Sequence, residues 1–197
     1  MFPPTPTMDE KHRYSFGGAS LPGVTEVLKA AGIIQYSMPA AIGAAVMERG
    51  TFVHRLCELD DAGTLDEATV DPALRGYLDA WRGFKEKLTE EGGRIVPEWT
   101  ERRMVCAALG YAGTMDRAIA FGEGDAETLD IKSGAMKRWT GVQLAAYDFC
   151  RGLSKKRRHG VEVKKDGKFR WVRFEEPDDY AVWLAALKVY KFAKENI

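Results

Sequence analysis

The sequence predicts an α/β (α+β) protein with a central sheet flanked by helices. Three observations predict it. Apolar spacing is helical from Val24 to Leu88, it shifts toward a period of two after Gly93, and helical spacing returns in Thr140–Arg151 and Pro177–Ala193. Helices, a strand meander, then helix, hairpin and helix make a sheet with helices packed on it.

The elements follow in order. Residues 1–13 carry three prolines and few apolar side chains, and are expected as a flexible tail ahead of one domain over 14–197. Tyr14-Ser-Phe-Gly-Gly reads as a short extended piece and a turn. Val24–Ala31 reads as a helix that Gly32 stops, and a longer one follows, with Ser37 as N-cap, Pro39 in its first turn and Gly63 beyond its end. Asp71 is placed as N-cap of the next helix. Its stripe of Leu74, Tyr77, Leu78, Trp81, Phe84 and Leu88 faces the core, and Gly92-Gly93 stops it.

Beyond Gly93, strands are expected over Arg94–Trp99, Glu101–Ala107, Tyr111–Phe121 and Glu127–Ile131. Gly122–Asp125 is the turn between the last two. Thr140–Arg151 is a helix that opens on a T-x-x-Q capping box, Thr140 with Gln143. Asp166-Gly167 then joins Val161–Lys165 to Lys168–Phe174 as a two-residue hairpin. The last helix carries Tyr180, Trp183, Leu184, Leu187 and Tyr190.

Composition limits the function classes. The chain has 197 residues, 45% hydrophobic and 29% charged, as in an ordinary globular protein. It contains no apolar run long enough to span a bilayer, and its first residues lack the pattern of a signal peptide, so no membrane partner and a cytoplasmic location are expected. The three cysteines, Cys57, Cys106 and Cys150, are dispersed and form no C-x-x-C, which argues against a disulfide framework and a structural zinc. Net charge is zero, with 29 basic and 29 acidic residues, yet the charges are segregated. Lys155, Lys156, Arg157, Arg158 and His159 run together, followed by Lys164, Lys165, Lys168, Arg170 and Arg173. That run is either a solvated face or a track for phosphates.

The chemistry gathers in Leu109–Tyr147. Asp130 and Lys132 are two apart on a strand and share a face, while Ile131 points to the core. A carboxylate there can hold Mg²⁺, and the ammonium beside it can position water and offset phosphate charge. Asp-x-Lys by itself also reads as a strand-end ion pair. Asp116, fourteen residues earlier and one turn away, brings a second carboxylate to the same strand end. Glu101 on the preceding strand is a third, with Glu98 as its competitor. Gln143 and Tyr147 are i and i+4 on the next helix, and Gly50 and His54 share one face of an early helix. A lone histidine there also reads as structural, and imidazole suits a transition metal better than Mg²⁺.

Taken in order, Gly50-x-x-x-His54, Glu101, Gly113-x-x-Asp116, Asp130-Ile131-Lys132 and Gln143-x-x-x-Tyr147 form a series. The series resembles the PD-(D/E)XK nuclease superfamily, in its RecB-like branch that includes phage exonucleases of the lambda type. The resemblance implies a restriction-endonuclease-like core, a central mixed β-sheet flanked by helices, with N-terminal helices. It implies that Asp116 and Asp130 hold the metal with the carbonyl of Ile131, that Glu101 completes the shell, and that Lys132 activates or positions water. His54 would lie near a second metal or the scissile phosphate, and Gln143 and Tyr147 would shape the site and contact DNA. The family usually places a proline before its first aspartate, where this chain has Met115. The cysteines do not fit the pattern of iron–sulfur relatives, so no cluster is expected.

The activity implied is a Mg²⁺-dependent DNA exonuclease, with Mn²⁺ able to substitute, that hydrolyses phosphodiester bonds in phage or bacterial DNA end processing, recombination or repair. If the chain is phage-encoded, its compartment is the bacterial host cytoplasm. The DNA-binding set would be Gln143, Tyr147, Lys155, Lys156, Arg157, Arg158, Lys164 and Lys165. A homo-oligomer or a recombination partner protein is compatible with the resemblance. The alternatives are an endonuclease of the same fold and a DNA-binding module that does not cut.

Overall fold

The computed structural model describes residues 2–35, 39–153 and 157–195. Ser37, expected as an N-cap, and Lys155 and Lys156 of the basic run lie outside them. The elements are strands β1 (Thr7–Met8), β2 (Tyr14–Phe16) and β3 (Ala19–Leu21), then helices α1 (Val24–Ala30), α2 (Ala40–Asp61) and α3 (Arg75–Glu90). Strands β4 (Gly93–Ile95), β5 (Arg102–Cys106), β6 (Tyr111–Met115), β7 (Arg117–Phe121) and β8 (Glu127–Lys132) follow. Helix α4 (Trp139–Cys150), strands β9 (Arg158–Val163) and β10 (Phe169–Phe174) and helix α5 (Asp178–Glu195) complete the order.

The central sheet has the order β10-β9-β8-β7-β4. It is mixed, as the resemblance implies. β4, β7 and β8 pair antiparallel, and so do β9 and β10, whereas β8 and β9 pair parallel with Asp130 opposite Gly160. A parallel pair needs a crossover, and α4 supplies it. Alternation along β8 and β9 sorts the side chains. Leu129, Ile131, Val161 and Val163 pack with Val53, Trp81, Phe84 and Leu88 of α2 and α3. The other face carries the core of α1, α4 and α5, including Val27, Leu144, Tyr147, Trp183 and Leu187. Two apolar layers around one sheet explain why the strands have few exposed side chains.

Several boundaries differ from expectation, each for a local reason. The strand expected over Arg94–Trp99 ends at Ile95, because Pro97 lacks an N–H and opens a 3₁₀ turn. Tyr111–Phe121 divides at Asp116: β6 pairs with β5 in a separate ribbon, and β7 joins the central sheet. Asp71 caps a turn ahead of α3 rather than the helix itself, accepting from the Ala73 N–H at 2.8 Å while Leu74 is the N-cap. The T-x-x-Q box does not form. Helix α4 begins at Trp139, one residue before Thr140, which is buried inside the first turn. The second hairpin is also wider than expected. Lys164 N–H bonds to Lys168 O at 3.0 Å, leaving a three-residue loop in which Gly167 takes φ +80°.

The first residues, expected as a flexible tail, include β1, which pairs with β2 through Thr7 opposite Ser15. The Pro4 carbonyl accepts the Val105 N–H at 2.9 Å, so backbone groups here find partners on β5. Among the described residues, no helix is long and apolar enough to cross a membrane.

Candidate active site

The break between β6 and β7 builds the site. Asp116 sits in that break, buried, and its Oδ2 accepts the backbone N–H of Ile131 at 2.7 Å. The bond ties the end of β6 to the C-terminal end of β8, which is why residues fourteen apart in sequence share one end of the sheet. Glu101 precedes β5 in the left-handed region, φ +45°, and its N–H donates to Asp116 O at 2.8 Å. A non-glycine residue there is strained, and such strain gathers at functional sites.

From the opposite layer, α2 delivers His54. Its Nε2 is 3.0 Å from the Ile131 carbonyl, and its Nδ1 is 3.4 Å from Glu101 Oε1 and 3.7 Å from Asp116 Oδ1. The ligand atoms of His54, Glu101 and Asp116 all lie within 4.8 Å of one another. With Nε2 donating to Ile131, Nδ1 faces the two carboxylates, and a cation bound between them would take the place of the Nδ1 proton. That is how outer-shell carbonyls orient metal-binding histidines. The donor set therefore fits a divalent cation. The Ile131 carbonyl, expected to bind the metal, is engaged with His54 and orients it.

Asp130 and Lys132 share the α4 side of β8, as alternation requires. Lys132 Nζ donates to Asp130 Oδ1 at 2.9 Å, lies 2.8 Å from its Oδ2, and reaches Gln143 Oε1 at 3.4 Å. The ammonium also stands 5.4 Å from the ring centre of Trp139. Gln143 Nε2 donates to the Tyr147 hydroxyl at 3.1 Å. Gln143 and Tyr147 thus hold Lys132 from the helix side. The side chains of His54, Asp116, Asp130, Lys132, Gln143 and Tyr147 line one cavity of 880 Å³.

The electrostatics follow from burial and crowding. Burial of the His54 ring works against a charge there. The carboxylates of Asp116 and Glu101 outweigh it and raise the His54 pKa to about 9. Burial, with the charge on Asp116, pushes Asp130 up to about 6 against the pull of Lys132. Burial and the same carboxylate hold the Tyr147 phenol well above its ordinary value, so it remains neutral. The carboxylates of Glu101, Asp116 and Asp130 thus stand among the cationic groups of His54, Lys132 and Arg117.

Arg117, which no sequence motif singled out, is wholly buried behind Glu101. A charged residue opening an otherwise apolar strand was the signal available. Its Nη1 donates to Glu101 Oε1 at 3.0 Å and to Asp116 O at 2.6 Å, and its Nε donates to Asp61 Oδ2 at 2.8 Å.

Among the described residues, the expected phosphate track does not assemble beside the cavity. Arg158 is wholly buried, bonded to Gly141 O, Asp179 and Glu176 O, and it holds α4 to α5. A guanidinium enclosed in this way has no face to offer a phosphate. Arg157 pairs with Glu127 at 3.1 Å. Lys164 and Lys165 are exposed but line a separate groove with Ser133, Gly134 and Glu162. Glu98, the competitor of Glu101, falls in the 3₁₀ turn outside the cluster of His54, Glu101 and Asp116.

No protein-family model and no curated protein matches the chain. Solved structures that are similar to it include two of one protein. One is the crystal structure of an alkaline exonuclease (LHK-Exo) from Laribacter hongkongensis, with 14% identity over 88% of this chain and 92% of that one, at a TM-score of 0.38. The other is LHK-Exo in complex with dAMP, with 15% identity over 89% of this chain and 93% of that one, at a TM-score of 0.39.

Proposed function

We propose that the chain is a divalent-metal-dependent nuclease, a DNA exonuclease that hydrolyses phosphodiester bonds in end processing, recombination or repair. The observation that carries this reading is the convergence of His54, Glu101 and Asp116 within 4.8 Å, beside Asp130 and Lys132 in one cavity. A binding module has no need of a carboxylate cluster that repels phosphate.

Asp116, Glu101 and His54 would hold the cation, with Asp130 beside them. Mg²⁺ is the cation proposed, with Mn²⁺ substituting. The imidazole nitrogen favours Mn²⁺ of the two. When bound, such a cation supplies Lewis-acid polarisation of a phosphoryl oxygen and acidifies a water. The chain's own residues do the rest. Lys132, held at one side by Asp130 and Gln143, lines the cavity, where its ammonium would orient the attacking water or neutralise a phosphate oxygen. Tyr147 stays a neutral donor and fixes the Gln143 amide. His54 donates to Ile131 and keeps the carboxylates at their spacing. The cavity is walled on one side by the N-terminal hairpin, which suits a strand end better than the middle of a duplex.

The test is cleavage of linear and circular DNA with Mg²⁺ or Mn²⁺ by the wild type and by Asp130→Ala and Lys132→Ala. Degradation of linear DNA alone, lost in both variants, is the result expected. Equal activity in all three proteins would place the cutting elsewhere and end the proposal.

A further inference from the structure

The cavity that holds Asp116, Asp130 and Lys132 has a second wall of opposite charge. Lys11, His12 and Arg13, from the turn between β1 and β2, line it together with Lys29 of α1, and the one carboxylate among them, Glu26 of α1, accepts the Tyr190 hydroxyl. All five are exposed.

This turn is built rather than trailing. Asp9 Oδ1 accepts the backbone N–H groups of Lys11 and Arg13, each at 2.9 Å. The Asp9 N–H donates to Arg13 O at 3.1 Å, and the His12 N–H donates to Asp9 O at 3.0 Å. His12 takes φ +56°, the second left-handed non-glycine residue beside the cavity after Glu101. The Arg13 guanidinium lies 2.6 Å from Asp9 Oδ2, so it serves the turn as well as the wall. Next to it Tyr14 is buried, and its hydroxyl is 2.9 Å from Thr114 Oγ1 on β6, two residues before Asp116. The hairpin is therefore fastened to the strand that delivers the first carboxylate.

A charge argument gives the wall a purpose. Asp116 and Asp130 repel any phosphate that approaches, and Lys132 with a cation can compensate only at the bond to be cut. Phosphates on either side need their own cations, because backbone contacts are what set the position of a nucleic-acid strand. Arg158, Lys164 and Lys165 do not line this cavity, whereas Lys11 and Lys29 do. At 880 Å³ the space is of small-molecule pocket size and fits a few nucleotides of one strand rather than a duplex.

We propose that the Asp9–Arg13 turn and Lys29 form a phosphate-binding wall that holds a single DNA strand across the cavity from the carboxylates. This rests on the nuclease reading and adds where the substrate strand lies and which cations hold it.

The experiment uses the full chain with chelator present, titrated against a fluorescein-labelled oligothymidine strand by anisotropy at several salt concentrations. The variants are Lys11→Glu, Lys11→Glu with Lys29→Glu, and Lys87→Glu on α3 as a charge-matched control, each checked for folding by circular dichroism. The double variant should bind at least ten-fold more weakly, and the slope of log K against log salt should become shallower by about 0.7 for each phosphate that is no longer neutralised. In the cleavage assay KM should rise while kcat at saturating strand is kept. Wild-type affinity and slope in the double variant, or an equal loss in Lys87→Glu, would overturn the wall alone. Failure of the wild type to bind any strand while it still cleaves linear DNA would overturn the wall, and absence of cleavage as well would overturn the nuclease reading with it.

Discussion

Arg117 donates from Nη1 to Glu101 Oε1 at 3.0 Å, from a guanidinium with no exposed surface. The same side chain reaches Asp61 at the end of α2, so a metal-binding candidate on one layer is braced by a helix of another. The carboxylate whose backbone is strained is thus also braced at its side chain.

Removing that brace exposes its worth. Arg117→Met takes one donor from Asp61, which keeps Trp81 and Lys85, and one from Glu101, and breaking a buried pair from one side costs about 3–5 kcal/mol. Urea unfolding should show a loss of that order. A loss below about 1 kcal/mol would mean that the brace contributes little to stability.

Metal binding provides a second check. Calorimetry with Mn²⁺ should detect binding in the wild type, weakened about ten-fold or more in Glu101→Gln and His54→Ala. Asp130→Ala and Lys132→Ala should each lower cleavage by about a hundred-fold or more. Unchanged Mn²⁺ affinity in both of the first two variants would remove His54 and Glu101 from the cation's shell.

Gly113 carries a steric prediction. A Cβ there would stand 2.7 Å from Tyr147 Cε1 and 3.0 Å from Val24 Cγ2, closer than packed carbons approach. Gly113→Ala must push the Tyr147 ring away and loosen its bond to Gln143. Overpacking of this kind costs about 1–3 kcal/mol. Thermal melting should register it, together with a fall in cleavage rate. A melting temperature equal to that of the wild type would show that the ring gives way freely.

Asp148 predicts a pH dependence apart from the site. It is wholly buried, accepts the Tyr180 hydroxyl at 2.7 Å, and burial raises its pKa to about 6. The folded chain therefore holds this proton more tightly than the unfolded chain, whose aspartates titrate near about 3.9. Stability from this group is present below about pH 4 and is lost as the pH rises through about 6, a change of roughly 2–3 kcal/mol. The stability difference between wild type and Asp148→Asn should vary by that amount across the window. A difference independent of pH would contradict the assignment.

Element type was legible where the period was local. The stripe from Leu74 to Leu88, the run of strands after Gly93 and the closing helix rest on spacing and on glycine stops, which act within a few residues. Boundaries were less legible. Pro97 shortens a strand as chemistry requires, but whether Thr140 caps α4 or sits inside it depends on Arg158 and Asp179 holding that helix end, and both lie far along the chain.

The sequence by itself determined that Asp130 and Lys132 share a face, because alternation on a strand leaves no other choice, and the order of the motifs placed Glu101, Asp116 and His54 as their companions. Only the tertiary structure decided which groups meet. The Asp116–Ile131 hydrogen bond, the left-handed turn at Glu101 and the packing of α2 against the sheet bring His54 within reach of two carboxylates. It also decided the fate of the basic residues. Arg158 is consumed by the junction of α4 and α5, while the cavity's cationic wall comes from a hairpin turn near the N-terminus. Charge is written in the sequence, but which side of it meets a substrate is set by long-range packing.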